Sequence, residues 1–358
     1  MSENFDYALR GIELENPIRY ENPTKLVDYS YYYFSFHAIP AVVFPEQSIP
    51  LMFRLGQEHL FEKFVAAADS NYFVVLIPKG IADCRRPPFI ATVCKVVQTN
   101  PQNYGVELLG MHRCRVLERD NEKVEVRAQL LPEIELPPIL PRILPKYASC
   151  SSWPDKYSLA TRISGYPFEL ILDITKRNNE KCSAMMREIV GNDLVEAAIS
   201  RGLTSFSFFV ARQMFASRDI EYRILKENSA DARVAAAAKY FQVAEAVCKN
   251  CHLELFKSEH ILQEKDLNLT HVNEHGYVHQ IALVSEVENF EEHSPPSFEY
   301  TWFPGFAWII LGCSRCDEHI GWMFVSRTTD RFFGVRRDAV TYRYRGEDES
   351  DQKIGGEA

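Results

Sequence analysis

The sequence predicts an α+β protein of several domains: a mostly antiparallel β domain first, then a helical region, and an all-β domain at the C-terminal end. Three observations predict it. Between residues 37 and 138, short β-type runs are punctuated by prolines and turn residues. Between 139 and 246, apolar residues recur at helical spacing. The last third holds two Cys-x-x-C pairs on either side of aromatic-rich segments. At 358 residues the chain is long enough for two or three domains with sizeable cores.

Residues 1–36 carry Asn, Glu and Tyr without periodicity and read as a poorly ordered lead-in, anchored by the tyrosines between Tyr29 and Tyr33. In AIPAVVFPEQSIPLMF, Pro40, Pro45 and Pro50 separate short runs of β type. EHLFEKFVAAA places Leu60, Phe61, Phe64, Val65 and Ala68 at helical spacing. Four strands follow: YFVVLIP (72–78), ATVCKVVQ, YGVELLG and HRCRVLER. In KVEVRAQLLP the alternation of Val124, Val126, Ala128 and Leu130 adds a half-buried fifth. The Pro-rich stretch 131–145 is a boundary. Beyond it, FELILDITKR (168–177) and DLVEAAIS (193–200) have helical character. Ser229 is placed to cap ADARVAAAAKYFQVAEAV, whose Val234, Ala237, Phe241 and Ala244 share a helical face. Residues 247–344 make the last domain, and the acidic tail 345–358 reads as disordered.

Composition narrows the function. With 46% hydrophobic and 25% charged residues the chain is an ordinary globular protein, and a formal charge of -9 with a pI near 5.7 argues against direct nucleic-acid binding. The N-terminus has neither a basic n-region nor an apolar h-region, and no run of apolar residues is long enough to span a bilayer. A cytoplasmic or nuclear protein with no membrane partner is expected, and nine cysteines in such a compartment are reduced or metal-bound.

The pairs Cys248/Cys251 and Cys313/Cys316 each put two thiolates on one side of a tight turn, and four thiolates in tetrahedral array suit one structural Zn²⁺. A disulfide framework would need an oxidising compartment, and a redox Cys-x-x-C normally comes as a single pair on a βαβ unit. A closed tetrahedral set leaves structural roles for His275, His279 and His319 nearby. Three of the four tryptophans (Trp302, Trp308, Trp322) lie between Glu299 and Phe324. Such residues are commonly core. Here the turn Pro304-Gly305 and the scarcity of aliphatic neighbours favour a pocket lined by indoles.

WFPGFAW, GCSRC and HIGWMF, preceded by NEHGYVH (273–279) and by Cys248-Lys-Asn-Cys251, resemble the thalidomide-binding domain of the cereblon family, from about Cys248 to Val340. The resemblance implies a β-tent-like fold and four zinc cysteines. It implies a cyclic-imide cage of Trp302, Trp308 and Trp322, with Phe324 at its floor and Asn273 and Tyr300 at its rim. Three positions depart from the vertebrate pattern: Tyr300 stands where His is usual, Phe306 where Tyr is usual, and Glu274 where Pro is usual. Upstream, Ile39-Pro40, Phe44-Pro45, Ile49-Pro50-Leu51 and the stretch from Leu109-Gly110 to Glu118 resemble the N-terminal domain of Lon proteases over 37–138. No phosphate-loop Gly-Lys occurs among the sixteen glycines, so this domain is read as a scaffold without protease activity. The family implies that helices within 139–246, from Trp153-Pro154 to about Lys176, dock a β-propeller adaptor of the DNA-damage-binding-protein type in a cullin-RING ubiquitin ligase. The cage would then capture cyclic-imide drugs or protein degrons with a cyclised C-terminal Asn or Gln. Two other classes stay open at this point: a zinc enzyme like the methionine sulfoxide reductases, and a stand-alone peptide or small-molecule binding module.

Overall fold

The computed structural model describes residues 32–344 apart from 54–55, 70–72, 132, 134–167, 242, 263–268, 274 and 329. The expected lead-in up to residue 31, the tail 345–358, Trp153-Pro154 and Glu274 lie outside the described residues. The chain is α+β, as its sequence predicts.

The first domain is a closed sheet. Its strands are β1 (Tyr32–Ile39), β2 (Ser48–Met52), β3 (Phe73–Pro78), β4 (Phe89–Asn100), β5 (Gly105–Asp120) and β6 (Glu125–Leu130), with helix α1 (Glu58–Asp69) between β2 and β3. The order β2-β5-β4-β3-β1-β6 closes on itself through β5–β6, and only β1–β3 is parallel. β1 begins at Tyr32, inside the stretch read as lead-in, because Tyr32 to Ser35 pair with β6. β3 is apolar throughout because both of its faces are covered. Val74 and Leu76 pack in the cluster under Phe61 and Phe64 of α1, and Val75 and Ile77 in the cluster that continues into the helical region.

YGVELLG and HRCRVLER, read as two strands, are one. β5 runs past Gly110 with a bulge at Met111, where Val93 pairs with His112 and Cys94 with Gly110. Gly110 is a point of close approach and not a turn: a Cβ there would stand 2.4 Å from the Phe44 carbonyl oxygen.

The helices are α2 (Phe168–Val190), α3 (Asn192–Ser200), α4 (Leu203–Gln213), α5 (Arg218–Leu225) and α6 (Ala230–Ala238). Sequence periodicity misses α4 and α5. α4 is buried along nearly its whole circumference, from Thr204 to Ala211, so it has no polar face to create a stripe. Ser229 does cap α6, accepting from the Ala232 N–H at 3.0 Å. The helix nevertheless stops at Ala238, short of the predicted run. Val243–Cys248 becomes a strand instead, since Ala246 and Val247 gain partners on both sides of a three-stranded sheet.

The β domain and helices share one hydrophobic cluster and a buried ionic triad. Glu133 bridges Arg113 (2.6 Å) and Arg233 (2.7 Å), with all three side chains fully buried. Their remaining donors reach the Leu225 and Glu227 carbonyls and the Ser207 hydroxyl. A second buried pair, Arg337–Glu221 at 2.8 Å, fastens the C-terminal domain to α5.

Among its described residues that domain is built of strands, with one short 3-10 turn at Ser258–His260: β7 (Val243–Cys248), β8 (Glu254–Lys257), β9 (Leu269–Val272), β10 (Val278–Val284), β11 (Phe290–Glu292), β12 (Phe306–Cys313), β13 (His319–Ser326), β14 (Arg331–Arg336) and β15 (Val340–Tyr344). They form two antiparallel sheets, β11-β12-β13-β14-β10-β9 and β15-β7-β8.

Candidate functional site

Cys248 ends β7 and Cys313 ends β12, so the two cysteine pairs meet where the two sheets join. The knuckles repeat one geometry. The N–H four residues after the first cysteine donates to that cysteine's carbonyl (His252 to Cys248, Asp317 to Cys313, both 2.8 Å). Each of these residues has a left-handed φ, 57° and 64°. The four Sγ atoms lie within 4.8 Å of one another. Cys248 to Cys316 is 3.6 Å and Cys251 to Cys313 is 3.5 Å, far beyond a disulfide bond. Those distances approach the edge, about 3.8 Å, of a sulfur tetrahedron with metal–sulfur bonds of about 2.3 Å. The donor set therefore fits one zinc ion held by Cys248, Cys251, Cys313 and Cys316. Burial pushes the Cys248 thiol up to about 12, while the Glu318 backbone N–H holds Cys316 near 7. Ligation must displace the Cys248 proton, so metal retention weakens in acid.

Alternation along the larger sheet gives it two faces. Ile309, Leu311, Met323, Phe333 and Val335 point into the core shared with the cysteines. The opposite face carries Phe306 and Trp308 (β12), Trp322 and Phe324 (β13), Phe332 (β14) and Ile281 (β10), a separate aromatic cluster. Trp308 pairs across the strands with Phe324, and Phe324 with Phe332. Gly334 keeps the floor flat, since a Cβ there would meet Ile281 and Phe324 at 3.0 Å each.

Trp302 reaches this face from a loop. The turn Phe303-Pro304-Gly305-Phe306 closes with the Phe306 N–H on the Phe303 carbonyl (3.0 Å), with Gly305 at φ 89°. Proline then glycine at its centre is what a type II turn requires. The loop folds Trp302 over β13, where its ring meets Trp322 at 4.8 Å and 72°. Its Nε1 donates to the Val272 carbonyl at 3.1 Å, and Trp308 Nε1 donates to that of Glu299 at 2.6 Å. Both indoles are thus tethered at their polar edges, leaving their faces free of hydrogen-bonding duty.

The structure brings the predicted cage residues Trp302, Trp308, Trp322 and Phe324 into one cluster. Tyr300, two residues before Trp302 in the same loop, is 48% exposed at φ 53°. The Asn273 side-chain oxygen accepts from the backbone N–H of His275 (3.1 Å) and Tyr277 (2.8 Å), so it shapes its own turn. His279 contacts Trp302 and Trp322, and His319 contacts Trp322.

His271, which sequence reasoning passed over, stacks on Trp302 at 4.9 Å and 8°. Its signal was the two-residue alternation with Leu269 on β9, opposite His279 on β10. Burial, helped by His279, lowers its pKa to about 4; burial, helped by Arg336, does the same to His319. The fold thus favours neutral imidazoles, whereas an unfolded chain takes up those protons near pH 6.5. Stability from these groups is complete above pH 6.5 and is lost as pH falls towards 4. The thermal midpoint is expected to drop across that window. His271→Phe, which keeps a stacked ring without a titration, should flatten the drop, and an equal drop in both proteins would contradict the assignment.

A cavity of about 300 Å³ lined by Asp83, Pro88, Arg115, Tyr222 and Lys226 lies elsewhere, between the β domain and α5, and contains none of the predicted site residues.

No family model matches the chain. Curated proteins do. The chain is 25% identical to the protein named cereblon in Gallus gallus over 356 residues, covering 85% of this chain and 76% of that one. Its counterpart in Danio rerio is 25% identical over 84% of this chain and 78% of its own length, and that in Xenopus tropicalis 25% over 87% and 78%. Each of these matches covers more than four-fifths of the chain, so its similarity to the cereblon proteins extends well beyond any single domain of the fold.

Proposed function

We propose that this chain is the substrate receptor of a cullin-RING ubiquitin ligase, and that its aromatic cage captures cyclic imides: glutarimide drugs, or protein degrons ending in a cyclised Asn or Gln. The observation that carries the reading is one sheet face on which Trp308, Trp322 and Phe324 stand together, with Trp302 brought against Trp322 nearly at right angles. Perpendicular indoles are how two walls of a small box meet. Each ring has only two side-chain torsions and is tethered or packed, so a ring of methylenes is enclosed at low entropic cost. Loop backbone around Tyr300 and Trp302 supplies partners for the imide N–H and carbonyls. One zinc on Cys248, Cys251, Cys313 and Cys316 holds the sheets that carry the walls, and the chain itself catalyses nothing.

The helical region links the receptor to a β-propeller adaptor of the DNA-damage-binding-protein type, in cytoplasm and nucleus. Among the described helices of this region, α4 and α6 are spent on internal packing, and α2, α3 and α5 keep exposed residues for a docking face. A sulfoxide-reductase reading needs a thiol nucleophile at the cage. The described cysteines outside the knuckles, Cys84, Cys94, Cys114 and Cys182, are buried in the β domain and helices.

Calorimetry with a glutarimide tests the cage. Trp302→Ala, Trp308→Ala and Trp322→Ala are each expected to cost about 2 kcal/mol of binding or more, over tenfold in affinity. Tyr300→His should cost less than about 1 kcal/mol if backbone groups make the hydrogen bonds at the rim. Normal binding by Trp308→Ala with its zinc intact would return these aromatics to the status of core.

A further inference from the structure

Trp322 meets an imidazole that is itself held by charged residues outside the cage. His319 lies at 89° to it with centroids 4.8 Å apart. The imidazole is held at both nitrogens: Nε2 is 3.1 Å from the Gly321 carbonyl oxygen, and Nδ1 is 3.3 Å from Arg336 Nη1, which also donates to the His319 carbonyl at 2.9 Å. A guanidinium only donates and a carbonyl only accepts, so the two contacts leave one consistent tautomer, with the proton on Nε2 and the lone pair on Nδ1. Arg336 is fixed in turn by Asp338, through Nε to Oδ1 at 3.1 Å and Nη2 to Oδ2 at 3.0 Å. Although burial raises the Asp338 carboxyl, Arg336, joined by Arg218 and the Asp338 backbone N–H, outweighs it and holds the group below its ordinary range, so the fork stays charged. A positive guanidinium against Nδ1 also keeps His319 neutral near pH 7, in line with its lowered pKa.

The geometry points to Arg336 and Asp338 as positioning residues: the pair sets the tautomer and tilt of His319, and His319 sets the angle of Trp322 in the ligand cage. Sequence reasoning missed both because they touch no indole. Their effect passes through two contacts, from a carboxylate-clamped arginine at the end of β14 to a histidine at the start of β13. This inference rests on the imide-cage reading for its consequence but not for its geometry, and the two can fail separately.

The test uses the full-length, zinc-loaded protein with ¹⁵N-labelled histidine and tryptophan. Long-range proton–nitrogen spectra at pH 7 should show His319 as the single Nε2–H tautomer. Arg336→Ala should release it to a mixture and move the Trp322 indole resonance. Glutarimide affinity should fall on the order of tenfold, as expected when a contact wall is displaced without being removed. Asp338→Asn, which weakens the clamp but keeps one acceptor, should give a smaller change in the same direction. Should Arg336→Ala fail to retain zinc and a cooperative melt, Asp338→Asn and Arg336→Lys carry the test by the same signals. An Nδ1–H tautomer or an imidazolium in the wild type overturns the inference. So do unmoved His319 and Trp322 signals in the variants. These spectra are read without any imide, so a wild type that ignores glutarimide would end the cage reading while the spectra still decide the relay.

Discussion

Cys313→Ser is expected to strip the metal and unfold both C-terminal sheets while the β domain and its helices stay folded. Cys313 terminates β12, its Sγ sits 3.5 Å from that of Cys251, and the cluster ties the end of β12 in the larger sheet to the end of β7 in the smaller one. Apparent zinc binding in small finger domains is worth about 10–16 kcal/mol. Even a fraction of that is comparable to the whole stability of a domain, about 5–15 kcal/mol. The surviving part is predicted by the packing: the closed sheet and the helices share one hydrophobic cluster, while the cysteines belong to another. Metal analysis should find one zinc per chain. Chelation should convert a single melt into two, with the new low-temperature transition reported by tryptophan fluorescence, since three of the four indoles lie in this domain. Less than one zinc in carefully prepared protein, or an unchanged melt after chelation, would contradict it.

Glu133→Ala should destabilise the other unit by about 3–5 kcal/mol, the loss typical of breaking a buried ion pair from one side. Glu133 is the sole carboxylate of the triad, and removing it leaves two fully buried guanidinium groups facing each other. Arg233 cannot swing out to water: its side chain stacks 4.0 Å from the centroid of Phe208 and is also bonded to Ser207 and Glu227. Glu133→Gln keeps an acceptor and should cost less, though one amide oxygen cannot serve both arginines. Urea unfolding monitored at the β domain measures the difference. A loss below about 1 kcal/mol would mean that water reaches the triad and that burial is not what makes it matter.

What was legible in the sequence followed from local pattern. Short apolar runs, with alternation in the last of them, located strands of the first β domain, helical spacing located α1, and two Cys-x-x-C pairs gave a metal site whose sulfurs the fold does bring together. The aromatic cluster was legible from density, because three indoles crowd between Glu299 and Phe324 around the turn Pro304-Gly305, and the strands then place Trp308 opposite Phe324. Elements defined by their surroundings were not legible. α4 has no polar face, β5 passes a glycine that resembles a turn signal, and the alanine-rich run continues helical propensity past the point where strand partners take over at Val243. The Arg113–Glu133–Arg233 triad joins residues up to 120 positions apart in chain numbering, and no local pattern encodes it. His271 and Arg336 belong to this class as well: each matters through the ring or imidazole it touches across a strand.

The central claim is that the face carrying Trp308, Trp322 and Phe324, closed by Trp302, encloses an imide whose N–H is hydrogen-bonded inside the cage. Titrating the zinc-loaded protein with glutarimide and with N-methylglutarimide, both followed by tryptophan fluorescence, tests it most directly. The account predicts saturable binding of the parent imide. The N-methyl compound should bind at least tenfold more weakly, since it lacks the donor, strands a buried acceptor and adds a methyl to a closed box. Equal binding of the two, or no saturable response to either with zinc in place, would contradict it.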